Sequence, residues 1–147
     1  MKRPMRVLFV CIGNSCRSQM AEAFARAQGS GVLTPTSAGV YPAAIVAPDT
    51  KRAMAEKNLN LDGHFPKSVE QVDRSSFDLI IDMSGGTLDS ETGAPVRIWD
   101  VPDPIVMDYE DHCRVRDQIE TLVKDLILEL SGKKKARPRF RFLSAYL

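Results

Sequence analysis

Cysteine and histidine are scarce in this 147-residue chain, which has three cysteines and two histidines. An odd number of cysteines argues against a closed disulfide framework, and no spacing of the cysteines and histidines matches a tetrahedral zinc site. A chain of this length can bury a core without disulfides or metal ions. We therefore expect reduced thiols, a cytoplasmic location, no metal and no cofactor.

Long hydrophobic runs are also missing. No stretch reaches the roughly 18–20 apolar residues of a membrane span, and the apolar run Val7–Ile12 is shorter than the roughly 7–15 residues of a signal-peptide core. Membrane insertion and secretion are both disfavoured. The Walker pattern G-x-x-x-x-G-K-[ST] and the pattern G-x-G-x-x-G are absent as well, which argues against binding of ATP or a dinucleotide.

Charge is distributed unevenly along the chain. Residues 133–147 carry six basic groups and no acidic one, and the whole chain has a net charge of +1, so residues 1–132 carry a net charge of −5. We interpret residues 1–132 as one domain and residues 133–147 as a basic C-terminal tail. The domain lacks the basic face of a nucleic-acid-binding protein, so no nucleic-acid partner is expected.

Apolar runs and helical stripes alternate along the domain. Short, nearly continuous apolar runs indicate strands that are buried on both faces, and apolar residues three or four apart indicate helices. This alternation predicts an α/β domain with a parallel sheet. The predicted strands are Met5–Val10, Val32–Ser37, Phe77–Met83 and Val96–Trp99, and the predicted helices are Arg17–Gln28, Pro48–Asn58 and Val115–Leu130.

The turn between the first strand and the first helix, CIGNSCRS, carries the most chemical information. Ligands bind beyond the carboxyl ends of parallel strands, and backbone N–H groups at a helix N-terminus attract anions. Cys11 would be a nucleophilic thiolate there, stabilised by these groups and by the Arg17 guanidinium. Arg17 would also bind a tetrahedral oxyanion with two parallel donors. The residues expected to contact that oxyanion are Ile12, Gly13, Asn14, Ser15, Cys16 and Ser18.

A cysteine nucleophile that acts on a phosphate ester needs an acid to protonate the leaving oxygen. Asp100, Asp103 and Asp108 follow the last predicted strand, and Asp103 lies between two prolines that stiffen its backbone. The alternative for Asp103 is a solvated turn aspartate. The alternative for the first turn is a buried cysteine and a surface arginine beside an ordinary strand–helix connection.

At these residues the sequence resembles the low-molecular-weight protein tyrosine phosphatase family, which shares its fold with the thioredoxin-coupled arsenate reductases. The match comprises CIGNSCRS, SAG at Ser37–Gly39, His64 after the second helix, and Asp-Pro at 103–104, and it covers about residues 5–131. The resemblance implies a three-layer α/β sandwich, phosphotyrosine phosphatase I-like, in which a twisted four-stranded parallel sheet has helices on both faces.

The resemblance also implies roles for these residues. Cys11 resembles the nucleophile that forms a phosphocysteine, Arg17 the transition-state anchor and Asp103 the general acid. Asn14 and Ser18 resemble residues that shape the loop and stabilise the thiolate. Cys16 resembles a second loop cysteine that can pair with oxidised Cys11, and Ser37 and His64 resemble supports of the loop through Asn14.

Two departures from the phosphatase pattern bear on the activity. Ile105 follows Asp-Pro, where the phosphatases often have an aromatic residue, and the segment around residues 37–68 is closer to the reductases. The loop Met83–Pro95, where those reductases carry relay cysteines, has none, and Cys113 lies in the last predicted helix. A reductase of this sequence would therefore depend on Cys11 and an external thiol, such as glutathione, mycothiol or glutaredoxin.

Three functions follow from these residues. The first is a phosphatase that hydrolyses phosphotyrosine-like aryl phosphates of a phosphorylated protein. The second is an arsenate reductase whose substrate is a small oxyanion and whose partner is a thiol donor. The third is an oxyanion-binding interaction domain with little turnover.

Overall fold

The computed structural model describes residues 3–86, 88 and 93–133. The predicted basic tail, apart from Lys133, lies outside these residues, as does part of the loop Gly85–Gly93. The strands are β1 (Met5–Cys11), β2 (Leu33–Gly39), β3 (Leu79–Asp82) and β4 (Val96–Ile98), and the helices are α1 (Arg17–Gln28), α2 (Pro48–Ala55) and α3 (Tyr109–Leu130). Three short 3₁₀-helices span Val69–Gln71, Arg74–Ser76 and Pro104–Val106.

The four strands form one parallel sheet in the order β2-β1-β3-β4. β1 is central, and its register pairs Cys11 with Gly39 of β2 and Val10 with Asp82 of β3. The carboxyl ends of three strands therefore meet at one edge of the sheet, where ligands bind in folds of this kind. The α/β fold with a four-stranded parallel sheet is confirmed.

Alternate residues of β1 enter two separate cores. Val7 and Phe9 pack with α1 and α3 on one face, whereas Leu8 and Val10 pack with Val69 on the other. The first two 3₁₀-helices flank this second core, so helices lie on both faces of the sheet, as predicted. None of the helices in the described part of the chain is long and apolar enough to cross a bilayer.

Two helices differ in length from the sequence prediction. α3 begins six residues before Val115, because the Asp108 carboxylate caps it by accepting from the amide of Asp111 (2.8 Å). Its first turn lacks the apolar stripe on which the prediction depended. α2 ends three residues before Asn58, whose positive φ of 63° reverses the chain after a final turn.

Candidate active site

Cys11 lies at the carboxyl end of β1 and is buried, with 2% of its surface exposed. Its Sγ lies 2.9 Å from the Oγ of Ser18, in the first turn of α1. The Asn14 side chain donates to the same Ser18 oxygen at 2.7 Å, which leaves the hydroxyl proton of Ser18 free to point at the sulfur. A Ser18 hydroxyl that donates to the Cys11 sulfur would stabilise a thiolate there, which is the role that the resemblance implies.

The loop of residues 12–17, called here the anion loop, is bound on its outer side by the segment of residues 40–47, called here the strap. Backbone amides of the strap donate to four of the five carbonyls from Cys11 to Ser15, all except that of Asn14. The four bonds are Val40 N to Cys11 O (3.1 Å), Tyr41 N to Ile12 O (2.8 Å), Ala43 N to Gly13 O (2.9 Å) and Ala47 N to Ser15 O (3.1 Å).

The strap determines where the loop amides point. In a trans peptide the N–H group points opposite to the carbonyl, so the amides of Gly13, Asn14 and Cys16 face away from the strap. Among the described residues, no amide from Gly13 to Arg17 donates to a carbonyl or a side chain. These N–H groups are therefore available to an anion, in the arrangement known as a nest.

Asn14 holds the loop in its curled shape. Its φ of 51° lies in the left-handed region, which asparagine tolerates better than most residues. Its side chain donates to Ser37 (2.9 Å) and accepts from the amide of Lys67 (3.0 Å). Ser37 thus supports Asn14 directly, as the resemblance implied, whereas His64 reaches it only through Gln19.

The glycine of the SAG motif, Gly39, lies too close to the anion loop for any side chain to fit. A Cβ built at Gly39 would lie 2.7 Å from the carbonyl oxygen of Ile12 and 2.8 Å from the amide nitrogen of Asn14. Only glycine allows β2 to approach the anion loop this closely.

Arg17 is buried beside Cys11, with 4% of its surface exposed. Its Nη1 donates to the carbonyls of Met83 and Val101 (2.9 Å for Val101), which follow β3 and β4. Its Nη2 lies 3.5 Å from Oδ2 of Asp103. Its Nε is buried and has no hydrogen-bond partner among the described residues, which is the state expected of a donor placed for an anion.

The structure brings Asp103, but not Asp100 or Asp108, to the cavity beside Cys11. Asp103 caps the 3₁₀-helix Pro104–Val106 by accepting from the amide of Ile105 (3.1 Å), and 39% of its side chain is exposed. The cavity has a volume of about 180 Å³, a size suited to a small oxyanion. Its lining comprises Cys11, Ile12, Gly13, Ser15, Cys16, Arg17, Ala43, Asp103 and Ile105.

Cys16 also lines this cavity, and burial raises the pKa of its thiol to about 11. The Thr50 hydroxyl partly opposes that shift by hydrogen bonding to the thiol. Thr50 in turn lies 2.9 Å from Nε2 of buried His112, Oγ1 to Nε2. Cys16 is therefore a protonated thiol at neutral pH, supported by two residues that the sequence analysis did not identify.

Gln19 is a further residue that the sequence analysis missed. Its Nε2 donates to the carbonyl (3.1 Å) and the side-chain oxygen (3.2 Å) of Asn14, and its Oε1 lies 3.1 Å from Nδ1 of His64. The sequence signal that could have identified Gln19 is its position in the first turn of α1. A side chain in that turn can reach back to polar groups of the preceding loop.

The family follows from a match over most of the chain. Residues 6–136 match the family described as low molecular weight phosphotyrosine protein phosphatase. The chain belongs to this family. The resemblance seen in the sequence is thereby confirmed.

Relatives within this phosphatase family include arsenate reductases. A protein named glutaredoxin arsenate reductase, from Synechocystis sp., is 32% identical over 130 residues, which cover 86% of this chain and 98% of the relative. A solved structure of an arsenate reductase in the phosphate binding state is 30% identical, with a TM-score of 0.79, over 86% of this chain and 98% of the other. The YwlE arginine phosphatase from Geobacillus stearothermophilus is 26% identical, with a TM-score of 0.79, over 88% and 94% of the two chains.

Proposed function

We propose that this protein is an arsenate reductase that uses Cys11 and an external thiol donor. The observation that carries the proposal is the Cys11 thiol beside the buried Arg17 guanidinium, in a cavity of about 180 Å³. The Nε atom of Arg17 has no hydrogen-bond partner within the part of the chain that the structure describes. Full-length relatives named arsenate reductase support this activity over phosphatase activity. Reduced thiols are required for the reaction, so we expect a cytoplasmic location.

The first step joins Cys11 to arsenic. The loop amides and Arg17 bind the arsenate oxygens, and the Cys11 thiolate attacks the arsenic atom. One arsenate oxygen leaves as water, with protons that arsenate and the solvent supply. The product is a Cys11–S–As(V) adduct, and neither arsenic nor sulfur has yet exchanged electrons.

The second step transfers two electrons. A thiolate of the donor attacks the Cys11 sulfur and forms a mixed disulfide, while the electron pair of the S–As bond passes to arsenic, which leaves as arsenite. A second donor thiol then attacks the mixed disulfide and releases Cys11. In sum, arsenate and two thiols give arsenite, one disulfide and water.

The donor must come from outside the chain, because neither of the other cysteines is suited to this attack. Cys16 is protonated at neutral pH, and a thiol attacks a disulfide or sulfur adduct only as its thiolate. Cys113 lies in α3 and is not part of the cavity lining. The name of the Synechocystis relative, a glutaredoxin arsenate reductase, is consistent with an external donor.

Arsenite formation tests the proposal directly. The purified protein is incubated with arsenate and with glutathione, glutathione plus glutaredoxin, mycothiol, 2-mercaptoethanol or dithiothreitol, and arsenite is quantified after chromatographic separation. The Cys11→Ser variant measures the uncatalysed background. We expect catalysed arsenite formation that this variant lacks, and no arsenite above background with any donor would refute the reductase.

Phosphatase activity is the second candidate, and the position of Asp103 favours it. The Asp103 side chain lines the same cavity as Cys11, where its carboxyl group could protonate an ester oxygen. The similarity to an arginine phosphatase also supports it. Hydrolysis of p-nitrophenyl phosphate on the same preparation measures this activity. Absence of turnover in both assays would leave the third hypothesis, an oxyanion-binding domain.

A further inference from the structure

A second depression adjoins the cavity at Ile12, which lines both. It is an open groove of about 700 Å³ on the strap side of the anion loop. Its walls include Tyr41, 79% exposed, and residues that follow β3. The groove therefore gives a second, larger ligand access to the edge of the cavity that contains Cys11.

Two opposite charges lie in this groove, on adjacent 3₁₀-helices. Glu70 belongs to Val69–Gln71 and Arg74 to Arg74–Ser76, and both line the groove. Among the described residues, neither side chain forms an ion pair or a hydrogen bond, with each other or with any neighbour. Most other arginines described here are paired or bonded, so an unpaired acid and base in one groove suggest a ligand with both charges.

The caps of the two helices and one core contact fix the backbone from which these two charged side chains extend. Ser68 and Gln71 form a capping box at the first helix, and Asp73 caps the second by accepting from the amide of Ser75. Val69 anchors the first helix in the core cluster beneath the sheet. A rigid platform of this kind lowers the entropic cost of binding a flexible ligand.

We propose that this groove binds the thiol donor, and that the donor is a small peptide thiol with a carboxylate and an ammonium group, of the glutathione class. Arg74 would bind a carboxylate and Glu70 the ammonium group, and the thiol would enter the Cys11 cavity past Ile12. This inference rests on the proposed reductase activity. A small thiol fits because only 2% of the Cys11 surface is exposed. The attacking sulfur must therefore belong to a molecule narrow enough to enter the cavity.

Donor specificity tests the groove. Arsenite formation is measured at saturating arsenate while glutathione is varied, and again with 2-mercaptoethanol, which has no charge. In Arg74→Glu we expect the KM for glutathione to rise about five- to thirty-fold, the effect of losing one charge-assisted bond. The KM for 2-mercaptoethanol should not change, and neither should the KM for arsenate when arsenate is varied at saturating 2-mercaptoethanol.

Matched variants separate this contact from general effects of charge. Arg114 on α3 is exposed and pairs with Glu110 of its own helix, so Arg114→Glu makes the same charge change away from the groove. It should keep the wild-type KM for glutathione. Arg74→Lys should recover part of the affinity that Arg74→Glu loses.

Failure of the groove and failure of the reductase give different results. If the wild type forms arsenite and Arg74→Glu has the same KM for glutathione, the groove proposal is wrong and the reductase stands. If no thiol supports arsenite formation, the reductase is wrong. Binding to the groove is then tested by titrating S-methylglutathione into the Cys11→Ser variant. The amide NMR signals of Ile12 and Tyr41 report the binding. Saturable shifts that Arg74→Glu abolishes support it, and their absence overturns it.

Discussion

The Nη2 atom of Arg17 lies 3.5 Å from the Oδ2 atom of Asp103, and both residues line the Cys11 cavity. Arg17 is held from inside by the carbonyls of Met83 and Val101, whereas Asp103 is partly exposed. An anion that binds Arg17 therefore comes within reach of the Asp103 carboxyl group. This contact connects the residue proposed as the oxyanion anchor to the residue proposed as the acid.

Asp103→Asn should separate the two candidate chemistries. The amide cannot donate an ionisable proton, so hydrolysis of p-nitrophenyl phosphate should fall about 10²- to 10⁴-fold, the usual contribution of a general acid. Arsenate reduction should fall less, because arsenate carries its own hydroxyl protons. The two kcat values of wild type and variant check this. An equal loss in both assays would contradict the separation.

Arg17→Lys should lower both activity and stability. Lysine retains the charge but cannot place one nitrogen on two carbonyls and another at the oxyanion. Removal of a donor that stabilises an oxyanion typically costs about 10²–10³ in kcat, and loss of a buried charged hydrogen bond costs about 1–3 kcal/mol of unfolding free energy. Enzyme kinetics and urea unfolding measure the two effects. Full activity in this variant would show that Arg17 does not act in catalysis.

Gly39→Ala should disturb the anion loop without touching the substrate. The added methyl group would lie 2.7 Å from the Ile12 carbonyl oxygen, so β2 and the loop must separate. We expect about 1–3 kcal/mol of destabilisation, as in other overpacked sites, together with weaker inhibition by phosphate. Gly86→Ala is the control, since its nearest contact would be the Ser84 Oγ at 3.9 Å. Equal phosphate affinity in Gly39→Ala and wild type would show that the close approach is not required.

Buried His112 should lower the free energy of unfolding as the pH falls into the mildly acidic range. Burial lowers the pKa of His112 below its ordinary value of 6.5, so the folded state keeps the ring neutral while the unfolded chain binds a proton. The contribution of His112 is complete above about pH 6.5, and it is lost as the pH falls from there toward the folded pKa. Urea unfolding at pH 7 and pH 5 should show a smaller loss in His112→Gln than in wild type. The same loss in both proteins would contradict the assignment.

The site residues that lie close together in sequence could be predicted from it. The apolar run before Cys11 and the helical stripe after Arg17 are local signals, and they place both residues at one edge of a sheet. Asp103 could be predicted because two prolines restrict its backbone.

Residues that depend on contacts between distant segments could not be predicted in the same way. The strap reaches the anion loop only because the register pairs Cys11 with Gly39, and no local pattern encodes that register. Thr50 and His112 meet from different helices, 62 positions apart. Each alone has the sequence context of an ordinary buried polar residue, so its relation to Cys16 emerges only in three dimensions.

The outward hydrogen bonds of the strap have a consequence for selectivity. A receptor built from peptide amides and one guanidinium responds to the shape and charge of its guest, and the element at the centre of the tetrahedron makes no contact with it. In the proposed reductase, phosphate would therefore compete with arsenate for the same binding site. Selection between the two would depend on the next step, because a thiol can reduce an arsenic adduct to arsenite, whereas a phosphorus adduct can only be hydrolysed.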